Sequence, residues 1–232
     1  MDLFKLKITM GFMLKLVVFL FVSLSFSAQD SLALISGKSI LGELSYQDHQ
    51  FLYFNKKINE NKIKLIRYPL RLVYSLTDQN SKTEVFYHKN PPNGNYLSQD
   101  QMKLFVLGEQ DALRQFKRGY HFLLGLGFGL TASILDTYEF SNVACKGYFN
   151  DSPSIISIAT PFLSSVIIGF PNKKVRRAYV SKDHYLESKF YRTGFNRVKN
   201  YRKTSSAFIG GLSGVFSVLV VTFVHRKNNP CP

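Results

Sequence analysis

Cysteine and tryptophan are nearly or wholly missing from this chain: two cysteines, Cys145 and Cys231, in 232 residues, and no tryptophan. Two thiols exclude a disulfide-rich scaffold and a zinc site built from cysteine pairs. The five histidines, His49, His88, His121, His184 and His225, stand apart, and no two have the i, i+4 spacing of a helical metal site. Only His49, beside Asp48, and His184, beside Asp183, adjoin a carboxylate, and both read as solvated residues of polar turns. Ser36 and Ser213 neighbour glycine, yet no G-x-S-x-G nucleophile elbow occurs. Gly37-Lys38-Ser39 has the tail of a phosphate-binding loop without its first glycine, so it reads as a turn. Glu43 and Asp48 are placed to flank a hairpin turn. No residue earns the role of catalyst, metal ligand or cofactor anchor, and the chain reads as a non-enzymatic protein.

Acidic residues are also scarce, 15 Asp and Glu against 30 Lys and Arg, for a net charge of +15. The excess is uneven: residues 172–204 alone carry +9, with eleven cations against Asp183 and Glu187. Apolar runs lie on both sides. Between Asp151 and Lys173 there are 21 residues without formal charge, between Lys203 and His225 another 21, and between Arg118 and Asp136 there are 17. Such lengths suit membrane segments better than a soluble core. Cations beside them point to anionic lipid headgroups as partner and away from nucleic acid.

Residues 1–27 read as a secretory signal. Lys5, Lys7 and Lys15 precede an apolar run at 16–26, and Ser25 and Ser27 present small residues before Ala28. Met13 is an alternative start, and an uncleaved N-terminal anchor is the alternative fate. Residues 28–89 then turn to short alternating runs, at 31–36, 39–46, 51–54, 63–66, 70–76 and 83–87, with turn clusters at 47–50 and 77–82. They predict a small β domain. The opening of that region, LALISGKSILGELSYQDHQFLYF at 32–54, resembles the start of SH3-like or Sm-like barrels, which implies a compact barrel or roll.

Residues 90–97 (NPPNGNYL) are a linker by composition. Ser98 with Gln101 forms a candidate capping box, opening an amphipathic helix over 98–118. A helical membrane region of two to three spans follows over 119–225, with a short tail at 226–232. Gly125 and Gly129 in its first segment, and Gly210 and Gly214 in its third, form small-residue ridges suited to close helix packing. The Gly125-Leu-Gly127-Phe-Gly129 run lacks the context of a dinucleotide fingerprint. In the middle segment, Pro153, Pro161 and Pro171 leave two readings open, a kinked span or a re-entrant turn.

Within the cationic stretch, Tyr185, Leu186, Phe190, Tyr191, Phe195, Val198 and Tyr201 recur among Lys189, Arg192, Arg197, Lys199, Arg202 and Lys203. That mixture predicts an interfacial helix, with rings at the headgroup level and those six cations on lipid phosphates. An ordinary basic loop is the alternative. A cleaved signal with three spans leaves the stretch outside, whereas the positive-inside rule draws it to the cytoplasm. Three spans put Cys145 and Cys231 on one side of the membrane; a re-entrant middle segment puts them on opposite sides.

The segments GEQDALRQFKRGY (108–120) and YRTGFNRVKNYRKTSSAFIGGLSG (191–214), with the Gly/Pro-rich segments between them, resemble a family of exported Gram-negative proteins. These share a signal, a β-rich N-terminal region and a glycine-rich membrane region. The resemblance implies an α+β envelope protein in the inner membrane with a periplasmic β domain, and it implies no activity. The β domain is then expected to contact proteins or ligands. The alternative is a subunit of a transport or secretion complex, or a homo-oligomer, packing through the glycine ridges.

Overall fold

The computed structural model describes residues 29–59, 62–141, 155–169 and 175–228. Residues 1–27, where the sequence leads one to expect a signal, and both cysteines therefore lie outside the described residues. The architecture is α+β, a six-stranded antiparallel sheet followed by helices, and the chain divides into two compact units. One comprises the chain to Ala33 and Ser39–Tyr87; the other comprises Leu34–Lys38 and everything from His88 onward.

The sheet unit is built from β1 (Asp30–Leu34), β2 (Ser39–Gln47), β3 (Phe51–Asn59), β4 (Lys62–Pro69), β5 (Val73–Thr77) and β6 (Thr83–Val85). Spatial order is β4-β3-β2-β1-β5-β6. β4 and β6 are therefore free edges, and the sheet is open where the sequence suggests a closed barrel. Turn chemistry sets the hairpins. Gly37 takes φ 71 between β1 and β2, and the Asp48 carboxylate accepts from the Gln50 and Phe51 amides at 2.7 and 2.6 Å between β2 and β3. Those two amide bonds hold the Asp48 carboxyl below its usual range. Asp30 adds one bond beyond the β1 ladder, accepting from the Leu44 amide at 2.8 Å.

Two strands differ from expectation. β3 continues through the polar Asn55–Asn59 because β3 and β4 pair from Phe51↔Pro69 to Asn59↔Lys62, a ladder whose far end is solvated. Backbone pairing needs no apolar face there, so no hydrophobic alternation marks it. β5 begins late, since Leu70–Leu72 forms a 3-10 turn after Pro69. Leu32, Leu52 and Phe54 are buried on one side of the sheet, and in β5 Val73, Tyr74, Ser75 and Leu76 are buried on both faces. On the other side the Tyr46 and Tyr53 rings stack at 4.0 Å and Arg67 lies 4.4 Å over Phe51, with Leu41, Ile63 and Leu65 exposed.

The helical unit contains α1 (Gln99–Gln115), α2 (Gly119–Ser141), α3 (Ile155–Gly169) and α4 (Lys189–Asn228). Both halves of the Ser98–Gln101 capping box form, at 3.0 and 3.3 Å. α4 is 40 residues, about 60 Å at 1.5 Å per residue. Its first half packs on α1, and its second half packs on α2 and α3. α1 and α4 cross at Gly108 and Gly194, where any side chain would overlap the Tyr191 or Phe105 carbonyl oxygen.

α2, α3 and the second half of α4 form a bundle with an inverted distribution of polarity. Small and polar residues face inward: Gly125, Gly129, Ser133 and Asp136 on α2, Ser157, Thr160 and Ser164 on α3, Ala207, Gly210 and Gly214 on α4. Large apolar residues face outward, among them Leu123, Phe128, Ile134, Ile158, Phe162, Ile167, Phe216, Val221 and Phe223. In water each such side chain forgoes about 1.5–3 kcal/mol of burial. α3 runs the length of the bundle: near its start Ser157 donates to Asp136 at 2.6 Å, and its end, Gly169, meets Thr204 and Lys203. Among the described residues one helix, within Lys189–Val224, is long and apolar enough to cross a membrane by length and composition; α3 is apolar but shorter.

Candidate functional site: a cationic cavity at the head of the bundle

Where the bundle meets α1, three chain segments end or turn within one layer. α1 closes at Gln115, α2 opens at Gly119 and α3 closes at Gly169. The C-terminal carbonyls of α1 are left unsatisfied by the helix itself. Arg202 fills that role, donating from Nη1 to Leu113 at 2.7 Å and more weakly to Ala112 and Phe116 at 3.4 and 3.3 Å. A cation at a helix C-terminus is also favoured by the helix dipole. Next to it in sequence, Lys203 Nζ donates to the Gly169 carbonyl at 3.3 Å, and one turn back Lys199 Nζ donates to Asn196 Oδ1 at 3.0 Å.

Residues 175–188, just before α4, roof this layer. It is anchored by Asp111, a buried residue of α1 whose Oδ2 accepts from the Ser181 amide at 3.0 Å, the Ser181 hydroxyl at 2.8 Å and the Tyr191 hydroxyl at 2.5 Å. Those bonds hold the 3-10 turns Arg177–Tyr179 and Asp183–Glu187 against the helices.

Beneath the roof lies a cavity of about 530 Å³. Lys117, Arg176, Lys199 and Lys203 supply its charge, with His121 and the hydroxyl-bearing rings of Tyr120 and Tyr179; Leu124, Ile167, Ile168 and Phe195 supply apolar wall. Among the described residues no Asp or Glu lines it. Lys199 and Lys203, four residues apart on α4, share one helix face and are 6% and 7% exposed. Two lysines so deeply placed concentrate positive charge in a low-dielectric setting.

The six cations of the interfacial-helix reading thus have four different fates. Lys189 and Arg192 are exposed on the first turn of α4. Arg197 reaches the buried Glu109 at 3.4 Å and lies 5.7 Å over the Phe105 ring. Arg202 caps α1, and Lys199 and Lys203 line the cavity. Tyr191 and Phe195, read from sequence as headgroup-level rings, are fully buried instead. α4 does not lie flat on a surface here, because α1 covers that face. Lys117, Arg176, His121 and Tyr179 were not singled out from sequence. Position beside an apolar segment marks Lys117, but nothing local brings Arg176 to it.

The four ridge glycines are all spent inside the chain. A side chain at Gly125 would overlap the Ala207 carbonyl oxygen, and one at Gly129 that of Gly211. Gly210 and Gly214 press likewise on the Phe122 and Leu126 carbonyls. Burial pushes the Glu109 carboxyl up to about 7, against the lowering effect of Arg197. No group of His, Cys, Asp and Glu among the described residues has a metal-binding arrangement. Comparison with known proteins returns no match, whether to a family model, a curated protein or a solved structure.

Proposed function

We propose that this chain is an integral membrane protein of the bacterial cell envelope, without catalysis of its own. In this reading a three-helix bundle is inserted in the inner membrane, and the cationic layer at its head rests on anionic headgroups. The inverted polarity of the bundle carries the reading: an outward apolar surface over an inward polar one suits lipid as solvent and penalises water. The path of α3 from the level of Asp136 to that of Lys203 favours three crossings over a re-entrant turn. The layer of Lys117, Arg202 and Lys203 then lies on the same side as α1. With a cleaved signal that side is the periplasm, where the sheet unit is free to contact a protein or ligand.

Cysteine accessibility tests this. In spheroplasts, three crossings put Cys145 and Cys231 on the cytoplasmic side, both protected from an impermeant maleimide until the membrane is opened. Labelling of Cys231 alone in closed spheroplasts refutes the three-span arrangement. Resistance of the full chain to alkaline extraction tests insertion itself.

Membership of a larger membrane complex is the second reading, favoured by the exposed side of the sheet with its Tyr46–Tyr53 stack and Arg67–Phe51 pair. A partner would meet that surface and not the glycine ridges, which are occupied within the chain. Co-purification of a stoichiometric partner in mild detergent, lost on Tyr53→Ser, supports it.

A further inference from the structure

We infer that the cavity is a discrete site for one phosphorylated amphiphile, a lipid bearing a phosphomonoester headgroup, and not merely part of a diffuse basic surface. The inference rests on the membrane reading and goes beyond it to a ligand class and a stoichiometry. Lys199 and Lys203 are the decisive residues. A surface that only attracts headgroups keeps its lysines solvated on long stems. Here two lysines one helical turn apart are instead more than nine-tenths buried, each with its Nζ aimed by a neighbouring oxygen, Asn196 Oδ1 or the Gly169 carbonyl.

Charge balance narrows the ligand. Among the described residues Lys117 and Arg176 bring the cavity to four cations, no carboxylate lines it, and His121 adds a ring nitrogen to the wall. A phosphomonoester, carrying about −1.5 to −2 near neutral pH with three strong acceptor oxygens, matches that set. A singly charged carboxylate or phosphodiester offers the same set less charge and fewer strong acceptor oxygens. Size and wall chemistry narrow it again. About 530 Å³ falls within the range of small-ligand pockets and exceeds what an inorganic phosphate fills. Leu124 and Ile167, which line the cavity, are also exposed on the outward apolar surface of α2 and α3. Apolar wall therefore continues from the cavity to the lipid-facing surface, a route by which an acyl chain stays in the bilayer while its headgroup sits on the lysines. Tyr120 and Tyr179 give hydroxyls at the same level.

Native mass spectrometry of the full chain in detergent micelles tests the assignment, with dioleoyl phosphatidic acid as probe and dioleoyl phosphatidylcholine and inorganic phosphate as comparisons. The expected result is a single phosphatidic acid adduct, at least tenfold tighter than phosphatidylcholine and not displaced by millimolar phosphate. K199Q/K203Q should weaken it tenfold or more. K117Q/R176Q, which changes exposed side chains and leaves the packed layer intact, should weaken it severalfold even if the buried pair proves necessary for folding. K103Q/K182Q, an equal loss of charge elsewhere, should retain it. Equal binding of phosphatidylcholine, displacement by phosphate alone, or equal weakening by all three double variants overturns the inference. Those results are separable from failure of the membrane reading, which shows as release of the wild-type chain by alkali.

Discussion

Glu109 gives the sharpest energetic test. Its side chain is 1% exposed, and among the described residues neither carboxylate oxygen has a hydrogen-bond partner and its one counter-charge, Arg197 at 3.4 Å, is itself 61% exposed. Burial raises the carboxyl from 4.5 to about 7. In the unfolded chain the group ionises near 4.5, whereas in the folded chain it resists until about 7. Below 4.5 both states are protonated and the site costs nothing. As pH rises toward 7 the unfolded state alone gives up its proton, so stability falls, and above 7 the loss is complete. At 1.36 kcal/mol per pH unit the full interval would amount to roughly 3 kcal/mol. Relaxation and water access around the carboxylate, with an effective dielectric well above that of a dry interior, reduce that to about 1–2 kcal/mol. Glu109→Gln keeps the shape and removes the ionisation. Thermal unfolding of wild type and variant in the same detergent, followed by circular dichroism from pH 4.5 to 8, reads the difference directly, since all other titrating groups cancel. The variant should gain on wild type by about 1–2 kcal/mol across that range, the change complete near pH 7. Parallel curves, or a variant that loses ground as pH rises, would refute the buried-carboxylate reasoning.

Packing and anchoring make two further predictions. Gly129→Leu should lower bundle stability by about 2–3 kcal/mol, because the Gly211 backbone leaves no room. Gly127→Leu, on the exposed side of the same helix with open space around it, should stay within about 0.5 kcal/mol. Unfolding in graded sodium dodecyl sulfate compares them, and equal losses would contradict the ridge packing. Asp111→Ala should cost about 2–4 kcal/mol and expose the roof near Lys182 to trypsin, since it strips three donors of their acceptor. Asp111→Asn, which retains an acceptor oxygen, should cost less. Wild-type resistance in the alanine variant would show that the roof is held otherwise.

Local signals in this chain translated directly into local structure. The Ser98–Gln101 box sits within one turn of backbone, so its two side chains meet once a helix starts. Asp48 closes its own turn for the same reason, and the strands at 39–46 and 51–54 were marked by alternation against a buried side. Pairing that buries no apolar face left no such mark, which is why Asn55–Asn59 read as a connection. The open sheet was equally invisible. Closure depends on whether β4 and β6 meet, a contact between residues far apart in the chain, and the early resemblance covered neither edge strand.

By itself the sequence determined the α+β order, the start of α1, the glycine spacing and the concentration of cation beside apolar segments, all of which follow from composition and short-range geometry. It could not sort the cations. Arg197, Lys199, Arg202 and Lys203 lie within seven residues of one helix, yet their directions differ by the 100° step of that helix. One meets a buried carboxylate, one the open carbonyls of α1, and two a cavity. Only the tertiary structure decided those fates, because α1, α3 and the roof over Arg176 come from distant parts of the chain. Each surrounds a different face of α4, and the face sets whether a positive charge is solvated, paired or held for an anion.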